Sequence, residues 1–240
     1  MSFVLTHPTN KVNIVSALRA LFRLWKEEHI LERDFSQFFE SFRVRHPERV
    51  PSFFTKEEVM RIENSISRSS AVGKRNYAMT LLASRLGLRA SDIENLRLNQ
   101  IDWDNNLITL TMQKTQKVIQ LLLLAEVGNA TIDYLRNGRP KTELDQVFLS
   151  SRAPYIGATK SCVCAAIQNA IITSGVDVNL KHHGPHSLRH SLANAMLHEA
   201  ASLPVISESL GHRHTDTTMV YLKIDIPLLS CPRNGRKYYP

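Results

Sequence analysis

The sequence predicts an α+β fold, mostly helical, with one small antiparallel sheet. Two observations carry this. Apolar residues recur at helical spacing, with capping residues at segment ends, along most of the 240 residues. Only residues 101–124 change to β-branched, alternating segments broken by polar turns.

Residues 10–29 predict an amphipathic helix, with Val12, Val15, Leu18, Phe22 and Trp25 on one stripe and Arg19, Arg23 and Lys26 beside it. A second short helix is expected around Phe35–Phe42. Arg43–Pro51, with two prolines and little periodicity, reads as a linker. Two domains are therefore expected: 1–46, a partial helical segment too small to build a core of its own, and 47–240, the main domain.

The main domain opens on a capping box, Thr55-Lys56-Glu57-Glu58, before Val59, Ile62 and Ile66. An apolar helix then runs to a C-cap glycine, Gly87. Arg89 follows at a tight junction, with Ala90 or Ser91 opening the next short helix. Residues 101–124 predict two or three strands, with turns at Asp104–Asn106 and Gln113–Lys117, the second carrying Lys114 and Lys117 at a hairpin tip. A helix over Glu126–Arg136, a short strand at Val147–Ser150 and a helix over Thr159–Ser174 come next. The last helices begin at Pro185. Pro204 suits a first turn, Gly211 a C-cap, and Thr215–Thr218 start the helix that carries Tyr221.

The net charge is +8, spread as +2 over residues 1–50 and +6 over the rest. That bias favours a polyanionic partner over an acidic small molecule. Three cysteines are too few for a disulfide framework, and Cys162-x-Cys164 is not a zinc spacing. No apolar run reaches the roughly 18 residues of a membrane span. The N-terminus lacks the pattern of a signal peptide. The expectation is a cytoplasmic, nucleoid-associated protein without a cofactor.

His186 and Arg189 stand three apart at the start of a helix and so share a face. Leu210-Gly211-His212 follows, and Tyr221 sits nine residues beyond His212. Imidazoles, a permanently charged guanidinium and a phenol converging on one point suit a phosphate. His186 and His190 are four apart, but without a HExxH carboxylate and a third ligand they do not make a zinc site. His182, His183 and His214 read as solvated loop histidines.

Arg89, the K-T-Q-K hairpin, H-S-L-R-H, L-G-H and the following tyrosine together resemble the tyrosine recombinase, or phage integrase, family over roughly residues 52–226. The order and the separations are the family's. The resemblance implies an integrase-type catalytic domain that cleaves and rejoins DNA strands through a 3′-phosphotyrosine. Its partner would be double-stranded DNA. It would act as a homo-oligomer, a tetramer on DNA, with accessory DNA-bending proteins in some systems. The chemistry of the residues agrees. Two guanidiniums, Arg89 and Arg189, can hold the non-bridging oxygens and stabilise charge as it develops there. Tyr221 would be the nucleophile and His186 its base or hydrogen-bond partner. His212 would bond a phosphate oxygen, and Lys114, or failing it Lys117, would protonate the leaving 5′ oxygen. No metal is called for. On this resemblance residues 1–46 would match at most the second half of the family's helical core-binding domain. Pro227 and Pro232 interrupt the region with which relatives dock on a neighbouring protomer. The competing readings are a DNA-binding regulator on the same fold and a type IB topoisomerase-like activity.

Overall fold

The computed structural model describes residues 11–39, 53–178 and 184–211. The chain divides into two compact units, Met1–Arg49 and Val50–Pro240. In the first, helix α1 (Lys11–Glu27) is followed by a 3-10 turn, Phe35–Phe39. Val15 is buried, while Leu24 on the other side of the helix is exposed. Phe22 meets Trp25 edge-on at 5.7 Å between ring centroids and Phe35 at 6.1 Å, which joins the turn to the helix.

The second unit holds α2 (Lys56–Asn64), α3 (Ala71–Arg85), α4 (Ala90–Glu94), α5 (Ala125–Asn137), α6 (Lys160–Thr173), α7 (Pro185–His198) and α8 (Leu203–Ser209). Between α4 and α5 lies an antiparallel sheet in the order β1 (Ile101–Asp102), β2 (Leu107–Thr111), β3 (Val118–Leu122). Ile108 opposes Leu121 and Leu110 opposes Ile119, which turns one face of the sheet into the core.

Helix α3 is the hub. Ala78, Met79, Leu81, Leu82 and Ala83 are all buried, as are the polar Arg75, Thr80 and Ser84, so this helix is covered on most sides. It packs on α5, α6 and α7. The Thr55 capping box forms as the sequence predicts. The Glu58 N–H donates to Thr55 Oγ1 at 3.2 Å, and the Thr55 N–H donates to Glu58 Oε2 at 2.8 Å.

One sequence expectation fails. Val147–Ser150 forms no ladder; it makes only single bridges, Arg97 with Gln146 and Leu149 with Gly157. The Val147 and Ser150 N–H groups donate to the Leu96 and Ile156 carbonyls, and the Phe148 carbonyl accepts from the Ala158 N–H, while side chains take other backbone groups of the stretch. The Arg139 guanidinium donates to the carbonyls of Leu144, Gln146 and Val147. Tyr134 Oη accepts from the Leu149 N–H at 3.2 Å, and Arg75 donates to the Leu149 carbonyl at 2.8 Å.

Candidate active site

Two glycines build the site. Gly87 ends α3 with φ +63°, and the Leu88 N–H turns back to the Leu82 carbonyl at 3.2 Å. A Cβ at Gly87 would stand 2.7 Å from Leu210 Cδ2 and 3.1 Å from Leu192 Cδ2. Only glycine allows both the left-handed turn and the approach of α7 and α8. Gly211, φ +59°, closes α8 in the same way, and a Cβ there would lie 3.2 Å from Met112 Cε and 3.4 Å from Ile119 Cγ2. The end of α8 is thereby laid against the β2–β3 hairpin.

Arg189 ties these pieces together. It is 4% exposed. Its Nη1 donates to the Gly87 carbonyl at 2.5 Å, and its Nη2 donates to the Leu210 carbonyl. One guanidinium thus joins α7, the end of α3 and the end of α8. Arg89 lies two residues past Gly87, as the N-cap of α4, so both arginines stand at the same junction.

Asp92 does the corresponding work for the hairpin. Its carboxylate is fully covered; Oδ1 accepts from the Gln113 N–H at 2.9 Å, and Oδ2 faces Arg89 Nη1 at 4.0 Å. The second separation is an ion pair but too long for a hydrogen bond. The hairpin loop is closed by Met112 N–H to the Lys117 carbonyl at 2.9 Å and Gln116 N–H to the Met112 carbonyl at 2.8 Å. Lys114 projects exposed from the residue after Gln113. Asp92 is the residue that sequence reading missed. Its signal was present: it sits three after Arg89 in a short helix, hence on the same face.

His186 reports how close these charges are. Its imidazole pKa is held below the ordinary histidine value, first by burial among its neighbours and then by the positive charges of Arg189, Arg89, Lys114 and Lys160. The residue as a whole keeps solvent contact. Protein packed around the ring still removes much of the water that would solvate an imidazolium. His190 lies beside His186, 6.5 Å between ring centroids.

Of the six residues named from sequence, Arg89, Lys114, His186 and Arg189 come together here. His212 and Tyr221 lie outside the described residues, as do His182, His183 and His214. Among the described residues there is no group of three His, Cys, Asp or Glu that could hold a metal ion.

Residues 52–226 match the sequence profile described as "Phage integrase family". The chain belongs to this family. Similar phage integrase family proteins include putative integrase/recombinase y4rA of Sinorhizobium fredii, 38% identical over 181 residues, which span 75% of this chain and 43% of y4rA. Putative integrase/recombinase y4gC from the same organism is 35% identical over 73% of this chain and 90% of its own length. Tyrosine recombinase XerC of Lactobacillus leichmannii is 26% identical over 94% of this chain and 75% of its own. The chain therefore spans less than half of y4rA and most of y4gC. Among solved structures, the fold resembles XerA recombinase, with TM-score 0.63, 20% identity and coverage of 94% and 76% of the two chains. It also resembles a lambda integrase dimer bound to a COC′ core site, with TM-score 0.65, 16% identity and coverage of 100% and 80%.

Proposed function

We propose that this protein is a site-specific DNA recombinase that breaks and rejoins strands through a 3′-phosphotyrosine on Tyr221. The observation that carries the reading is the junction of Arg189 with the Gly87 turn, two residues before Arg89. It brings two guanidiniums and a hairpin lysine to one histidine on separate elements. Arg89 and Arg189 bind the non-bridging oxygens of the scissile phosphate, where charge gathers in the transition state. The phenol of Tyr221 attacks phosphorus and gives up its proton, and the bond to the 5′ oxygen breaks. His186 assists the phenol. A pKa below the ordinary value keeps its ring neutral and able to accept a proton at neutral pH. Lys114 gives a proton to the departing 5′ oxygen. His212 bonds a phosphate oxygen. A 5′ hydroxyl from a second strand reverses the steps, so the phosphodiester is restored without an external energy source.

The partner on this reading is double-stranded DNA, bound by several copies of the chain, in the cytoplasm at the nucleoid. Residues 1–46 supply part of the grip on DNA and 47–240 the chemistry. Among the described residues no helix is long and apolar enough to cross a membrane. The test is strand exchange between two differently labelled duplexes in buffer containing a chelator. Joined products of mixed label support the recombinase. Relaxation of supercoiled DNA without exchange would give the topoisomerase-like activity instead. Binding with neither would give a regulator.

A further inference from the structure

Arg75 lies about 18 Å along the chain axis from Gly87, toward the other end of α3. Its side chain holds the Leu149 carbonyl and takes no part in the candidate active site. It is 6% exposed, so a full positive charge has been taken out of water. Such a charge is costly unless an anion or a dense set of acceptors compensates it. Its partners are all neutral. Nη1 donates to the Leu149 carbonyl at 2.8 Å, and Nε and Nη2 share the Asn76 side-chain oxygen at 3.2 and 3.1 Å. These three bonds leave two of the five guanidinium N–H groups over.

The same guanidinium walls two adjoining cavities of about 390 and 330 Å³, which also share Ser150 and Ser151. No carboxylate lines either of them. Arg152 adds a second cation to the smaller one, beside Thr159 and Cys162. Those last two form the first turn of α6, where Thr159 Oγ1 accepts the Cys162 N–H at 3.3 Å and the helix presents the positive end of its dipole. A buried guanidinium, a rim arginine, hydroxyls and a helix N-terminus thus border two adjoining cavities without a carboxylate, the chemistry that receives an anion. The turn also connects to the catalytic cluster, because Lys160, the residue after Thr159, is one of the charges acting on His186. A single DNA strand carries a phosphate every 3.4 Å or so of helix rise, so a backbone held at Arg89 offers further phosphates at this range.

We infer that the Arg75 cavity takes a second, unreacting phosphate of the bound DNA backbone and so sets the register of the strand over Arg89 and Arg189. This rests on the DNA reading above. The contact is to the backbone and carries no base specificity of its own.

The test is binding of a fluorescent 25-base-pair duplex of arbitrary sequence to the full chain across a range of potassium chloride concentrations. Two variants are compared with the wild type. Arg75→Gln removes the buried cation. Ser151→Glu places a negative charge at the rim, on an exposed residue that makes no described side-chain hydrogen bond, so it does not depend on Arg75's hold on Leu149. The expected result is an affinity about tenfold lower in each, with the slope of log K against log salt shallower by about 0.9, one phosphate's worth. Ser151→Glu within twofold of wild type in affinity and equal in slope overturns the inference while leaving the DNA reading intact. A melting temperature raised by inorganic phosphate in the wild type and not in Ser151→Glu, beside an unchanged duplex slope, also overturns it and gives the cavity a free anion. A wild type that binds no duplex removes the DNA reading and this inference together.

Discussion

The two arginines of the candidate site are the same residue type in very different settings. Arg189 is buried and spends both terminal nitrogens on backbone carbonyls 102 and 21 residues away in sequence. Arg89 keeps a side chain 12% exposed and faces a carboxylate at 4.0 Å. The first is part of the fold's framework; the second is aimed by a neighbour. The difference teaches that two arginines at one junction can be held in unlike ways, one by backbone carbonyls and one by a carboxylate. On the proposed function, the charge offered to the scissile phosphate by Arg189 would be fixed before DNA arrives, and that of Arg89 would be steered by Asp92. Preorganised charge of this kind needs little rearrangement as the reaction proceeds.

The sharpest way to break this contrast is to truncate each arginine. Arg189→Ala should lower stability by about 3–5 kcal/mol, because two buried carbonyls lose their donor and a cavity opens. Arg89→Ala should cost less, about 1–3 kcal/mol, because the fully covered Asp92 carboxylate loses the cation it faces at 4.0 Å but keeps the Gln113 N–H. Both should reduce strand cleavage at least a hundredfold. Urea unfolding beside cleavage kinetics separates the two effects. Equal stability losses would erase the distinction.

Lys114 comes next. Lys114→Ala should slow cleavage by about 10²–10⁴-fold, the usual range for a general acid. A substrate with sulfur in place of the bridging 5′ oxygen should restore most of the rate, since a thiolate leaves without a proton. Lys117→Ala should stay within a few-fold of wild type. Recovery of Lys117→Ala, rather than Lys114→Ala, on the sulfur substrate would transfer the part to Lys117.

Asp92 connects the two sides. Asp92→Asn keeps an acceptor for the Gln113 N–H and loses the charge facing Arg89; about tenfold in rate is expected. Asp92→Ala also releases the hairpin, so amide exchange at Gln113 should speed up and the rate should fall further. Identical kinetics for the two variants would mean that the hairpin is held by other contacts.

The smallest effect is a pH dependence of stability. The folded pKa of His186 lies below its unfolded value near 6.5. Between those values the unfolded state binds more protons, so stability rises with pH through that window and is lost as pH falls through it. His186→Gln should flatten this slope. Duplex DNA should move the His186 titration, read by NMR, back upward, because phosphates offset the four cations around it.

Much of this was legible in the sequence because it is local. Thr55 with Glu58, Gly87 after its helix, and the turn at Gln113–Lys117 are short-range devices whose cause lies within a few residues. The family's motifs brought Arg89, Lys114, His186 and Arg189 forward through order and spacing alone. What stayed hidden is long-range. Nothing around Arg189 says that its donors reach Gly87 and Leu210. Asp92 reads as an ordinary acidic residue in a helix's first turn until Gln113 is seen above it. Arg75 reads as the charged member of a helical pattern, and its burial depends on α5, α6 and the Val147–Ser150 segment. That segment looks like a strand by composition, but its backbone groups are divided between neighbouring loops and the side chains of Arg139, Tyr134 and Arg75.

The account turns on a covalent bond between this chain and DNA. Duplexes of randomised sequence, nicked so that the short fragment carrying the new 5′ hydroxyl diffuses away after cleavage, would trap it. The products are run on a denaturing gel with wild type and Tyr221→Phe side by side. The prediction is a band of protein joined to the 3′ end of the cleaved strand in the wild type and none in Tyr221→Phe. Duplex binding without any such band, or a band that persists in Tyr221→Phe, would contradict the account.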